Sequence, residues 1–294
     1  MKPPPPAVSV VMRSFNEAWA IGDTIRQLMA QDFAGEIELI VIDSGSSDGS
    51  LAIIKDFKPA RLIQIPLGSY VPGVVLNQGA RAASHDWIIY LNADATPVGR
   101  NWLTDLLAPG LANPRIGAVF SRQIPRPDCQ AVFAHDYDRC FGPNRESAGW
   151  DHFFSMVSCV THRAVIEQVP IREDLQYAED DEWTRRLITH GYEIIYAPES
   201  VVMHSHNYTL HQAYKRAFGD AMAMAAVSNH HPQTINYHRF VVLGWLKDTL
   251  RDARWCLHHH CLGGLPQSVA VRLAQRLGRR AGHHAGWKFY QRTP

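Results

Sequence analysis

What the sequence lacks narrows its function first. Across 294 residues no uninterrupted apolar run, Ala221–Val227 included, approaches the roughly 20 residues that a bilayer-spanning helix needs. The start, Lys2 followed by a run of prolines, carries no apolar segment of signal-peptide length, which leads us to expect a cytoplasmic chain. Five cysteines, at 129, 140, 159, 256 and 261, form no CxxC pair and leave one over, a pattern that suits reduced thiols better than a disulfide framework or a zinc site. No GxGxxG follows a strand pattern and there is no GxxxxGK[ST], so a dinucleotide fold and a P-loop nucleoside-triphosphatase are unsupported. Charged residues make up only 19% against 46% hydrophobic, an ordinary globular balance that excludes collagen-like, low-complexity and wholly disordered chains.

Charge is unevenly placed. The net charge is +1, yet from Pro232 to Pro294 ten Lys/Arg face only Asp248 and Asp252, leaving the remainder acidic. A basic tail with Trp245, Trp255 and Trp287 suits either an anionic membrane surface or a solvated helical face packed on its own body, and a homodimer contact is a further use for it. It contains no recognisable nucleic-acid module, and the candidate site is acidic, so nucleic acid is not expected as a partner.

Hydrophobic periodicity organises the first two thirds. Strands are expected at Ala7–Met12, Glu36–Ile42, Arg61–Ile65, Trp87–Leu91, Gly117–Arg122, Phe153–Thr161, Ile194–Ala197 and Ser200–His204. Helices are expected at Asp23–Gln31, Ser50–Phe57, Val75–Ala83, Asn101–Leu107 and Asp180–His190. Pro125–Ser147 reads as a polar, loop-rich stretch, and the chain from Leu210 as mostly helical with breaks at His230–Pro232 and Gly263–Pro266. Alternating strands and helices imply an α/β fold with a mostly parallel sheet, and ligands in such sheets bind beyond the carboxyl ends of the strands. Those ends carry Arg13–Glu17, Asp43–Asp48 and Asn92–Asp94. Composition places a domain boundary at 231/232, with 1–231 the α/β domain and 232–294 a basic helical extension.

Three groups could carry chemistry. Asn92-Ala93-Asp94 ends an apolar strand, where a carboxylate can hold a hard divalent cation, although Asn and Asp also favour turns by themselves. Glu179-Asp180-Asp181-Glu182 opens a helix, where the dipole favours acids, but repulsion among four carboxylates also suits one of them to act as a general base, with Arg186 offsetting the charge. His204 and His206 would face the same way in a strand, as Mn²⁺ ligands or phosphate donors, or else serve the fold.

In order along the chain, VSVVMRSFNE (Val8–Glu17), LIVIDSGSSDGS (Leu39–Ser50), LNQGARAA (Leu76–Ala83), IIYLNADATP (Ile88–Pro97), EDDEWTRR (Glu179–Arg186) and GYEIIYAPESVVMHSHNYT (Gly191–Thr209) resemble the inverting family-2 glycosyltransferases of the GT-A fold. The last segment is similar to bacterial rhamnosyltransferases. The resemblance implies that Arg13, Ser14, Phe15, Glu17 and Asp43 line the nucleobase and ribose, and that Asn77, Arg81, Asn92 and Ala93 lie beside the donor sugar or diphosphate. It implies Asp94 and His204 as ligands of Mg²⁺ or Mn²⁺, with the first acid of the family's DxD replaced by Asn92. Asp180 corresponds to the catalytic base, and Glu179 and Trp183 to acceptor contacts. The implied donor is a dTDP- or UDP-sugar, with dTDP-rhamnose foremost, and the implied acceptor a saccharide or lipid-linked saccharide at the inner membrane face, for cell-surface polysaccharide. The rival readings are a sugar-nucleotide-binding module without turnover, a nucleotidyltransferase, and a peripheral membrane scaffold.

Overall fold

The structure, a computed structural model, describes residues 6–150, 152–228 and 236–290. By its internal contacts the chain divides into two compact units. The first comprises 1–124, 146–175 and 179–204, and the second 125–145, 176–178 and 205–294. The expected boundary at 231/232 and the break at His230–Pro232 lie outside the described residues.

The first unit is built on one eight-stranded sheet, in the order β3-β2-β1-β4-β7-β6-β8-β5. Its strands are β1 (Val8–Ser14), β2 (Ile37–Asp43), β3 (Arg61–Gln64), β4 (Trp87–Asn92), β5 (Thr96–Pro97), β6 (Ile116–Ile124), β7 (Ser158–His162) and β8 (Glu193–Met203). The β3-β2-β1-β4 half is parallel, β7 runs antiparallel to both β4 and β6, and β6 pairs with β8 in parallel. Strand β1 shows why both faces are covered. Val8, Val10 and Met12 enter a core with Ile21, Ile25 and Leu28 of α1 (Ile21–Met29), Ile54 of α2 (Ser50–Asp56) and Trp102, Leu103 and Leu106 of α4 (Trp102–Ala112). Val11, between them in the alternation, meets Gly79 of α3 (Pro72–Ala82) so closely that a Cβ there would lie 2.2 Å from a Val11 methyl. Continuous β-branched runs buried on both sides are what a parallel sheet requires. The short α6 (Arg163–Gln168) and α7 (Glu179–Thr189) complete the unit.

The two strands expected at 194–197 and 200–204 are one strand, β8, with an irregularity opposite Ser121/Arg122. It ends at Met203, so the expected strand-like pairing of His204 and His206 does not hold.

The second unit is helical. Within the stretch expected as loop, Ala131–Phe141 forms α5, whose Val132 and Phe133 pack with Ala213 and Val271. Helices α8 (Leu210–Ser228), α9 (Gly244–His258) and α10 (Leu265–Tyr290) follow, with a π-helical turn, His238–Leu243, leading into α9. Gly278, Gly282 and Gly286 share one face of α10, and a Cβ on them would lie 2.1–2.4 Å from the carbonyl oxygens of Tyr214, Phe218 and Met222. The facing residue numbers rise together along both helices, so α8 and α10 run in the same direction, backbone against backbone.

Candidate active site

At the carboxyl ends of β1 and β2 two loops are laced together. Asn16, in the left-handed region at φ 54°, accepts the Ser47 N–H on its side chain, while its own N–H goes to Ser46 Oγ. The N–H groups of Glu17 and Ala18 go to Ser50 Oγ and Asp48. Asn tolerates this backbone better than most residues. Asp43 is fully buried and accepts the N–H groups of Gly45 and Ser46 together with the Ser46 hydroxyl, so it shapes the turn that the crevice rests on. Phe15 is about half exposed at the loop's outer side, whereas Ser14 is buried below it.

Arg13 is the hub of the site. Its Nε and Nη2 donate to Asn92 Oδ1 at 3.2 and 2.6 Å, its Nη1 donates to Tyr70 Oη at 3.1 Å, and Nη1 also lies 3.8 Å from Glu179. Burial opposes its charge, but Tyr70 and Glu179 outweigh that and raise its pKa. Its carbonyl accepts the Ala93 N–H, which ties β1 to the chain leaving β4.

Asp94 is 1% exposed, and its Oδ2 lies 3.5 Å from Nε2 of His204. His204 directs Nδ1 at Gln123 Oε1, 2.9 Å away, and Gln123 in turn donates its amide to Ser155 Oγ. An amide oxygen can only accept, so Nδ1 carries the hydrogen, and in the neutral form of the ring the lone pair of Nε2 faces the carboxylate. Two electron-pair donors facing each other, one of them an imidazole set by a hydrogen bond behind it, fit a divalent cation. Glu17 stands close by, and burial, reinforced by the Asp94 charge, pushes its carboxyl up to about 8. His206 belongs to the second unit.

The four acids at the start of α7 have different surroundings. Asp181 and Glu182 pair along the helix with Arg185 and Arg186, each at 2.6 Å, and Arg186 also donates to Pro170 O. Glu179 faces Arg13. Asp180, half-buried, accepts the Asp181 N–H at 2.9 Å. Asp180 and Arg13 both act electrostatically on Cys159, which is buried on β7, and Arg13 links the start of α7, through Glu179, to the end of β4, through Asn92. The residue before the helix, Ala178, is held at φ 60°, a costly conformation for alanine.

Three residues expected in the site are held by the surrounding structure. Trp183 is fully buried, donates Nε1 to Val169 O at 2.7 Å and packs on Phe154, so it belongs to the core. Its position one turn beyond Glu179 places it on the inward face of α7. Asn77 clamps both polar groups of the Ile171 backbone, at 2.7 and 3.2 Å, and also meets Glu173, which makes it a brace. Ala93 is fully buried, and its N–H, taken by the Arg13 carbonyl, fixes the strand end. Arg81, 65% exposed, stands 3.7 Å from Glu173. Reasoning from sequence missed Tyr70, Cys159 and Gln123. Only Gln123 had a signal there: its strand continues two residues beyond the expected end, and Gln123 lies two places from the buried Ser121 in the alternation.

Residues 9–169, more than half of the chain, match the model of the family described as Glycosyl transferase family 2. The O-antigen chain rhamnosyltransferase RfbN of Salmonella typhimurium is 27% identical over 222 residues, covering 72% of this chain and 70% of that protein. The O-antigen chain rhamnosyltransferase WbaN of Salmonella anatum is 30% identical over 193 residues, 62% of this chain and 60% of that one. Among solved structures, the mannosyltransferase PcManGT of Pyrobaculum calidifontis, in complex with GDP-Man and Mn²⁺, superposes with a TM-score of 0.60 at 21% identity over 90% of this chain and 74% of its own. Glucosyl-3-phosphoglycerate synthase of Mycobacterium tuberculosis, with Mn²⁺ and UDP, gives 0.56 at 19% identity over 77% and 81%. The chain therefore belongs to glycosyltransferase family 2 and is a glycosyltransferase of the GT-A fold.

Proposed function

We propose that this glycosyltransferase moves a sugar, rhamnose foremost, from a nucleoside-diphosphate donor (dTDP- or UDP-linked) to a hydroxyl of a saccharide or lipid-linked acceptor in cell-surface polysaccharide synthesis, with inversion at the anomeric carbon. The donor preference draws on the two rhamnosyltransferase relatives. The observation that carries the chemistry is the convergence on Arg13 of the Asn92–Asp94 strand end and the start of α7.

Asp180 takes the proton from the acceptor hydroxyl as the oxygen attacks, and one base suffices for a single displacement. Glu179, paired with Arg13, contacts the acceptor beside it. Arg13, Phe15 and Glu17 face the nucleoside on the loops that Asp43 and Asn16 hold together, and Arg81 stands on the donor side at the edge of α3. Asp94 and His204 would hold Mg²⁺ or Mn²⁺, which when bound neutralises charge on the departing diphosphate. The protein would act at the cytoplasmic face of the membrane, where lipid-linked acceptors are presented.

Asp180→Asn tests the assignment. Transfer from labelled donor should fall about 100-fold or more, the contribution of a positioned base, while the nucleotide-induced rise in melting temperature stays within error of wild type. Wild-type turnover in this variant removes Asp180 from the role, and absence of any thermal shift with dTDP, UDP or GDP sugars removes the donor class.

A further inference from the structure

Helix α9 presents a surface that the transferase chemistry does not use. Leu246, Leu250 and Leu257 are exposed, the last two at 60% and 59%, and Leu243 in the preceding turn is half exposed as well. At 3.6 residues per turn, Leu246, Leu250 and Leu257 lie with the exposed Lys247 and Arg254 on an arc of about 100°. Both acids of the helix point away from it. Asp248 pairs with Arg276, and Asp252 is 1% exposed against Arg272 and His135, all within the second unit. The outward side of α9 thus carries leucines and positive charge with no carboxylate among them.

We infer that α9 is an interfacial helix that lies in the plane of an anionic phospholipid membrane, its leucines among the lipid chains at the headgroup boundary and Lys247 and Arg254 on lipid phosphates. This extends the proposed function, from whose lipid-linked acceptor it takes its purpose. The amphipathic pattern, leucine beside lysine and arginine, is what such helices use. Charge selects the occupant. A second copy seated on this face would bring Lys247 and Arg254 toward their own counterparts with no acid to pair them, whereas an anionic bilayer is complementary to both residue types. The helix of 15 residues, about 22 Å long, is too short to span a bilayer, and no described helix is long and apolar enough to do so.

Vesicle co-sedimentation of the full chain tests this, with phosphatidylcholine vesicles containing or lacking 30 mol% phosphatidylglycerol as an experimental choice. The bound fraction at fixed lipid should give a partition coefficient about tenfold higher on the anionic vesicles. It should fall about tenfold in the double variant Leu250→Asp/Leu257→Asp, fall comparably in Lys247→Glu/Arg254→Glu, and decline as salt screens the lysine and arginine. Because Leu250 and Leu257 are mostly exposed, the variants should keep the wild-type melting temperature and the wild-type thermal response to sugar nucleotides. Negligible wild-type binding to either vesicle, or equal binding by wild type and both variants, overturns the proposal. A wild-type dimer in sedimentation equilibrium that becomes monomeric in Leu250→Asp/Leu257→Asp, without vesicle binding, assigns the face to a second copy and overturns it too. Vesicle binding that survives in a protein with no response to any sugar nucleotide leaves this surface standing and rejects the donor assignment instead.

Discussion

Arg13 places two guanidinium nitrogens on the side-chain oxygen of Asn92, at 3.2 and 2.6 Å. An amide in this position anchors the fork without neutralising it, so the positive charge remains for Glu179 and for the crevice. A lysine cannot reproduce the fork, because its single ammonium cannot meet Asn92 and Tyr70 together. Arg13→Lys should lower kcat/KM for the sugar nucleotide about 10- to 100-fold, the loss of one or two charge-assisted hydrogen bonds. Asn92→Ala should weaken the same parameter, and the two effects should be less than additive in a double-mutant cycle. Full additivity would mean that the contact does not position Arg13.

With Asp94 and His204 as the proposed metal ligands, metal affinity should depend on a residue that touches no metal. Gln123 holds Nδ1 of His204, so Gln123→Ala should weaken Mn²⁺ binding by about 10- to 100-fold, the usual cost of losing such support. Asp94→Asn and His204→Ala should weaken it further. Titration of Mn²⁺ by electron paramagnetic resonance, without substrate, reads this apart from turnover. Unchanged affinity in Gln123→Ala would show that the imidazole is oriented by something else.

Trp183 supplies a prediction of the opposite kind. Its indole is fully buried and bonded to Val169 O, and α7 carries the candidate base only three residues earlier. Trp183→Phe should cost about 1–3 kcal/mol in stability by leaving that carbonyl without its donor, read as a lower midpoint in chemical denaturation. The acceptor KM should stay within twofold. A large rise in acceptor KM with unchanged stability would return Trp183 to the acceptor site.

What could be seen in the sequence follows from which signals are local. Strands such as Val8–Ser14 and Trp87–Asn92 are continuous apolar runs bounded by polar loops, so their ends, and with them Arg13, Asp43 and Asp94, could be placed. The first turn of α7 was legible as an acidic cluster, but which acid serves which purpose was not, because Asp181 and Glu182 are distinguished only by Arg185 and Arg186 and Glu179 only by a residue far away in sequence. Tyr70 sits in a loop with no periodicity, and its reach to Arg13 is a tertiary fact. Helix α5 escaped for a related reason. Its Asp136, Asp138 and Arg139 give it a polar sequence, while His135 is buried by Asp252, a partner 117 positions away.

That distant partner leads to a stability prediction in the second unit. Burial alone would raise the carboxyl of Asp252, but hydrogen bonds from His135, at 2.6 Å, and Arg272, at 2.8 and 2.9 Å, outweigh it and hold the group below its ordinary value. Arg272, 5% exposed, also bonds Asp136, so it joins α5, α9 and α10. A carboxylate depressed in the folded state contributes stability that is complete above its unfolded pKa and is lost as pH falls through the folded one. The contribution should therefore be constant at neutral pH and fade below about pH 4. Arg272→Ala leaves Asp252 and Asp136 without their cation and should cost about 3–5 kcal/mol, a fall of roughly 10 °C in melting temperature at pH 7. The gap between variant and wild type should narrow as the pH is lowered past 4, because protonated Asp252 no longer needs the guanidinium. A gap that is absent at pH 7, or that widens on acidification, would show that the arginine is not what stabilises this junction.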